Sequence, residues 1–342
     1  MRYTEQYLSD LRATLDVPDI GALRGARILI TGATGLIGSC VADAILQLNE
    51  EQGFEAELTL AGRSESSMYR RFSHWGDAAF SFAVFDALVP WRNDEPFDYI
   101  VHCASNAHPA AYVSEPVETM LANIVGTRSL LELLKRQGFG RLLYVSSSEV
   151  YGTKELAEPY SEDEYSYVDI LNPRSCYPSS KRAAETLCAA FRAEYGVDFA
   201  VVRPGHVYGP CITEADSRAH AQFARLAAAG ENIVMKSAGQ QLRSYCYVVD
   251  CATAILAVLL QGVSGEAYNI SNADSVVTIR QLAEMLAELG GVRVIFDLPS
   301  ESEARGYNMM SCSALTSDKL ESLGWKGCFD LKAGCEHMLE AL

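Results

Sequence analysis

The chain has 342 residues, of which 49% are hydrophobic and 21% charged, and its formal net charge at pH 7 is -16. That length fits one large α/β domain or two packed domains, and the acidic balance argues against a nucleic-acid backbone or an anionic membrane as partner, while leaving room for a basic pocket that takes a small anion. The first residues, MRYTEQYLSDLRATL, mix charges with apolar positions, and no run approaches the ~18 apolar residues needed to span a bilayer, so neither a signal peptide nor a membrane span is expected. Ten scattered cysteines without a CxxC pair read as reduced, mostly buried thiols of a cytoplasmic protein with no metal site.

Residues 1–24 read as a short amphipathic helix closed by a turn at DVPDIG. ARILITG (26–32) is a short apolar, β-rich run of the kind found in a parallel sheet covered on both faces. LIGSCVADAILQL (36–48) has helical spacing, and AELTLAG (56–62), FSFAVFDA (80–87) and FDYIVHCAS (97–105) read as further strands. A helix is expected over 117–136, a fifth strand at RLLYVSS (141–147), a helix over 178–195 and a sixth strand at DFAVVRPG (198–205). Such alternation means βαβ units in a doubly wound parallel sheet. After Gly209 the pattern loosens into a loop and a helix, then a strand and helix over 244–262, then short elements with turn signals from 263 to 342.

In TGATGLIG (31–38), Gly32, Gly35 and Gly38 form a GxxGxxG array around Thr34, Leu36 and Ile37, between the first strand and the first helix. Glycines there permit a tight turn and close approach of backbone N–H groups to a pyrophosphate, with the helix dipole behind them. At the end of the second strand, LAGRS places Arg63 and Ser64 where an acid normally binds the ribose hydroxyls of NAD; an arginine suits a 2′-phosphate, so NADP stands beside NAD. In RSCYPSSKRAAETLC, Tyr177 and Lys181 are four apart and share a helix face. A free tyrosine, at a pKa near ~10, is too weakly acidic to act as a base at neutral pH, and a cation at close range favours its phenolate.

The ordered set VHCAS (101–105), NIVGT (123–127), VSSSEVYG (145–152), CYPSSK (176–181), RPGHVYGP (203–210) and RSYCYVVD (243–250) resembles the extended short-chain dehydrogenase/reductases, the NAD-dependent epimerase/dehydratase family. The fold implied is a doubly wound parallel (Rossmann) sheet with a smaller mixed substrate domain. The expected division is a helical extension over 1–24, a dinucleotide-binding domain over 25–210 with 244–262, and a nucleotide-sugar-binding domain over 211–243 with 263–342.

The resemblance makes Tyr177 the phenolate base, and makes Lys181 the group that lowers its pKa and binds the nicotinamide ribose. It makes Ser147 the partner of the substrate hydroxyl being oxidised, Asp86 an adenine contact, and Ala104 and Ser105 further cofactor contacts. Ser148 and Glu149 match the Ser-Glu of UDP-glucuronate decarboxylases rather than the Asp-Glu of 4,6-dehydratases. Tyr112, in HCASNAHPAAYVSEP, would meet the sugar. Arg218, Arg243 and Arg305 are the candidates for its diphosphate.

Two departures stand out. The decarboxylases carry an arginine shortly before a late Leu-Gly-Trp, and the stretch NMMSCSALTSDK ahead of LGW (323–325) has none. His206 replaces the family's asparagine after the sixth strand, either to donate to a sugar or phosphate or as a structural residue. The activity implied is oxidation of sugar C4 through a 4-keto intermediate, with decarboxylation of a UDP-glucuronate-like substrate first and 4- or 5-epimerisation or 4,6-dehydration as alternatives. A non-catalytic NAD(P)-binding sensor is the rival of another class. Relatives commonly form homodimers through the helices near 117–136 and 178–195.

Overall fold

The computed structural model describes residues 3–154, 158–212, 216–297 and 312–342; Arg305 lies outside the described residues. In chain order the elements are α1 (Glu5–Leu11), β1 (Arg27–Thr31), α2 (Leu36–Gln52), β2 (Glu57–Gly62), α3 (Glu65–Arg71), β3 (Ser81–Val84), β4 (Tyr99–His102), α4 (Pro109–Ser114), α5 (Pro116–Gln137), β5 (Arg141–Val145), α6 (Cys176–Tyr195) and β6 (Asp198–Pro204). The second part holds β7 (His206–Tyr208), α7 (Ala219–Ala228), β8 (Ile233–Met235), β9 (Leu242–Tyr247), α8 (Val248–Gln261), β10 (Ala267–Ile270), β11 (Val276–Thr278), α9 (Ile279–Leu289), β12 (Val294–Phe296), β13 (Cys312–Ser313), α10 (Asp318–Glu321) and α11 (Leu331–Ala341).

The apolar runs become the interior of a seven-stranded sheet in the order β10-β6-β5-β4-β1-β2-β3, all of it parallel. Ile28, Leu29 and Ile30 of β1 are completely buried because helices cover both faces. Leu29 packs into the core that holds Leu130, Leu133 and Leu134 of α5 and Phe191 of α6; Ile28 and Ile30 pack into the one that holds Ile45 of α2 and Ile255 of α8. Each such side chain contributes ~1.5–3 kcal/mol on leaving water.

The smaller part is built on β9, which pairs with β7, β11 and β13, and on a two-stranded β8–β12 ladder. Two details differ from the sequence-based division. Ala267–Ile270, expected in the smaller domain, is the edge strand of the large sheet, paired with β6. Ser244–Tyr247 of β9, expected with the large domain, belongs to the small sheet, and only α8 after it packs against the large one.

The amino-terminal helix α1 is tied to both parts. Asp43 of α2, wholly buried, accepts from Tyr3, Tyr7 and Trp75 at 2.8 Å each and pairs with Arg71 at 2.7 Å. Asp10 of α1 accepts from Tyr247 and pairs with His337 of α11, both at 2.9 Å. Among the described residues no helix is long and apolar enough to cross a membrane.

Candidate active site

The chain winds outward from β1 to β3 on one side and from β4 to β10 on the other. The crossovers therefore diverge between β1 and β4, and a crevice opens beyond their carboxyl ends, where open α/β sheets bind ligands. The residues singled out by motif collect on that edge. Gly32–Gly38 follow β1, Arg63 and Ser64 follow β2, Asp86 follows β3, Ala104 and Ser105 follow β4, Ser147–Glu149 follow β5, and His206 follows β6.

Gly32 has φ +67°, and a Cβ there would lie 2.7 Å from the Ala104 backbone nitrogen; one on Gly38 would lie 2.6 Å from the Gly32 carbonyl oxygen. The turn has no room for side chains. Gly35 is the N-cap of α2 and no side chain caps the helix, so the first N–H groups, at Leu36 and Ile37, stay available to an anion. The hydroxyls of Ser105 and Ser146 and Nδ1 of His108 are buried without a partner among the described residues. A glycine cradle at an uncapped helix start, with unbonded polar atoms on segments that follow β4 and β5, fits a dinucleotide. Gly32, Thr34, Gly35 and the α2 amides would hold its pyrophosphate. Arg63 is exposed at the mouth; Ser64 is exposed as well and caps α3, accepting from Ser67 N. Asp86 caps its own turn, accepting from Leu88 N at 3.0 Å.

Asn172 accepts from Arg174 N at 3.0 Å and sets the turn that launches α6. Pro178 follows in the first helical turn, where a missing N–H is tolerated. Tyr177 and Lys181 then lie on one face, 5% and 2% exposed. Lys181 Nζ donates to the Val145 carbonyl at 2.8 Å and stands 4.7 Å from the Tyr144 ring centre and 5.7 Å from that of Tyr177. Asn123 of the NIVGT stretch donates to Ser180 Oγ at 2.9 Å, which anchors α6 to α5.

Burial brings Lys181 down to about 7. Burial, followed by the Glu149 charge, pushes the Tyr177 phenol up to about 12, against the pull of Ser147, Arg218 and Tyr112. In the free protein burial keeps the phenol protonated; the expectation from sequence calls on the positive nicotinamide as well as the lysine. When bound, the oxidised dinucleotide supplies a hydride acceptor and a positive ring that favours the phenolate.

Ser147 Oγ accepts from Glu149 N at 3.2 Å and fixes the turn that presents the Glu149 carboxylate; Ser148 beside it is buried. That carboxylate is gripped by both terminal nitrogens of Arg174, at 3.1 and 3.2 Å. The same guanidinium lies 4.5 Å over the ring of Tyr112, which stacks on Tyr177 at 4.6 Å and 17°. No role for Arg174 is legible from sequence, because nothing in one dimension shows that it folds over a helix contributed by residues 109–114.

His206 and the buried Arg243 sit on paired strands, β7 and β9. Arg218 is engaged by Asp216 at 2.9 and 3.1 Å through its Nε, yet its charge still reaches Tyr177.

The fold and its glycine turn are those of an enzyme that takes a nicotinamide dinucleotide. Residues 28–271 match the NAD dependent epimerase/dehydratase family, and the chain belongs to that family. It is 31% identical over 312 residues to UDP-glucuronic acid decarboxylase 1 of Xenopus tropicalis, covering 90% of this chain and 70% of that protein. Against UDP-glucuronic acid decarboxylase 6 of Arabidopsis thaliana it is 31% identical over 319 residues, covering 92% and 88%. Its fold superposes on the UDP-glucose 4-epimerase of Thermotoga maritima, solved with UDP-glucose, with a TM-score of 0.77 at 24% identity, over 92% of this chain and 98% of that one.

Proposed function

We propose that this enzyme oxidises C4 of a nucleotide-linked sugar and decarboxylates a UDP-glucuronate-like substrate. Tyr177 takes the proton of the C4 hydroxyl while Ser147 bonds the same oxygen. With C4 a ketone, the C5–carboxylate bond breaks, CO2 leaves, and the electron pair delocalises onto the ketone oxygen. A proton from solvent then takes the place of the carboxylate at C5, and as hydride returns to C4 the Tyr177 phenol gives its proton back to the C4 oxygen. In this reading Glu149, held by Arg174, handles protons near C5.

The observation that supports this reading most is the Arg174–Glu149 pair, with the guanidinium over Tyr112 and Tyr112 stacked on Tyr177. A guanidinium fork beside the reacting phenol suits a substrate carboxylate, and it arrives from the helix-launching turn rather than from the late segment ahead of Leu323. The two decarboxylase relatives support the same substrate class. The test is incubation with UDP-glucuronate and NAD, followed by mass spectrometry. A product lighter by CO2 is expected; an unchanged mass eliminates decarboxylation and leaves C4 or C5 epimerisation to be sought.

Three companion readings go with it. Arg63 at the mouth, with no acid beside it, supports acceptance of NADP as well as NAD. The stripe Val117, Met120 and Leu121, exposed on α5, supports a homodimer through α5 and α6. Ten cysteines outside any disulfide, eight of them buried, support a reducing, cytoplasmic setting.

A further inference from the structure

His206 on β7 and His220 at the start of α7 come from separate elements, yet both rings pack on Tyr245 of β9, at centroid distances of 5.7 and 6.4 Å. His220 is 2% exposed. Among the described residues neither imidazole makes a hydrogen bond, and His206 Nδ1 and His220 Nε2 are buried without partners. A buried polar atom left unbonded is destabilising; two of them around one aromatic ring point to a ligand.

The charged groups facing the pair are mostly positive. Arg243 comes from β9, Arg218 from the segment before α7, and Arg225 from α7 itself; Asp216 is taken up by Arg218. Tyr245 is held protonated, chiefly by burial. Burial first, and these arginines second, hold both histidines below their ordinary range, so both rings are neutral in the free protein. Two neutral donors among guanidinium groups make a seat for a multiply charged anion.

Such an anion reverses the local electrostatics. One unit charge at ~4 Å, at an effective dielectric of ~20, favours the imidazolium roughly a thousandfold, and a sugar-nucleotide diphosphate brings two. We propose that His206 and His220 complete, with Arg218 and Arg243, a diphosphate clamp that takes up a proton as the substrate binds. This rests on the nucleotide-sugar reading above and deepens it: His220 becomes a binding residue, and affinity becomes a function of pH.

The probe is UDP-glucose, whose diphosphate does not titrate near neutrality, with uridine as the control lacking phosphate. Calorimetry of the full chain in two buffers of different ionisation enthalpy measures proton exchange on binding. The expected result at pH 7 is uptake of about one proton per UDP-glucose and none for uridine, with affinity falling up to about tenfold per pH unit as pH rises. The double variant His206→Asn/His220→Gln should bind with no uptake and a flat pH dependence. If it does not fold, His206→Asn alone, at the less buried ring, should show a reduced uptake. Binding without proton uptake, or uptake unchanged in a folded variant, overturns the clamp and leaves the functional reading intact. Failure of both UDP-glucose and dTDP-glucose to bind overturns the nucleotide-sugar reading and the clamp with it.

Discussion

Replacing Lys181 by methionine keeps the length of the side chain and removes only its charge and donors. With the ammonium 5.7 Å from the Tyr177 ring centre, Coulomb attraction to a phenolate at an effective dielectric of ~20 is about 3 kcal/mol. That corresponds to roughly a hundredfold in the fraction of phenolate. The phenol starts from about 12, with burial the dominant cause and the pull of Ser147, Arg218 and Tyr112 already included, so losing the ammonium comes on top of that value. Lys181 is itself held down to about 7; the anion opposite favours its charged form by the same attraction.

The assay is rapid mixing of the NAD-loaded enzyme with UDP-glucuronate, following the near-ultraviolet absorbance of reduced nicotinamide. Lys181→Met should slow that phase about a hundredfold at neutral pH. Above the apparent pKa of the wild type its rate levels off while the variant still gains, so the deficit should narrow about tenfold per pH unit. A deficit constant across pH would mean that the lysine only positions the cofactor. The absence of any deficit would refute the electrostatic reasoning.

Three further outcomes follow from the structure. Arg174→Ala should weaken UDP-glucuronate about tenfold or more while leaving UDP-glucose binding unchanged, because a charge-assisted bond to the carboxylate is lost; equal weakening of both ligands would contradict that role. Gly38→Ala should abolish dinucleotide binding, measured by fluorescence titration, since its Cβ would sit 2.6 Å from the Gly32 carbonyl oxygen; normal affinity would show that the turn relaxes. Asp43→Ala leaves the largely buried Arg71 without its carboxylate and takes an acceptor from Tyr3, Tyr7 and Trp75, and should cost about 3–5 kcal/mol in urea unfolding; an unchanged midpoint would show that the amino-terminal helix contributes little.

Much of the large sheet was legible because its strands, buried on both faces, are short apolar runs: ARILITG holds β1 with one residue to spare at each end. FSFAVFDA shows where the reading overshoots. The ladder ends at Val84, although the buried Phe85 still donates its N–H to Gly62. AYNI, residues 267–270, carries no mark of its sheet; pairing with β6, more than sixty positions away, decides it.

The site divides in the same way. Glycines, tyrosine and lysine announce themselves by spacing along one turn or one helix. Arg174 and His220 do not, since their meaning lies in Tyr112, Glu149 and Tyr245, which other elements bring to them. The high resting pKa of Tyr177 was also out of reach, because it sums a burial that only the packed protein defines.

UDP-glucuronate carrying deuterium at C4 tests the central claim most directly. If Tyr177 drives oxidation at that carbon, turnover shows a primary isotope effect, the label is found on the dinucleotide or back at C4 of the product and never in water, and Tyr177→Phe is inactive while still binding cofactor. Turnover without an isotope effect, or a Tyr177→Phe variant as fast as the wild type, would contradict it.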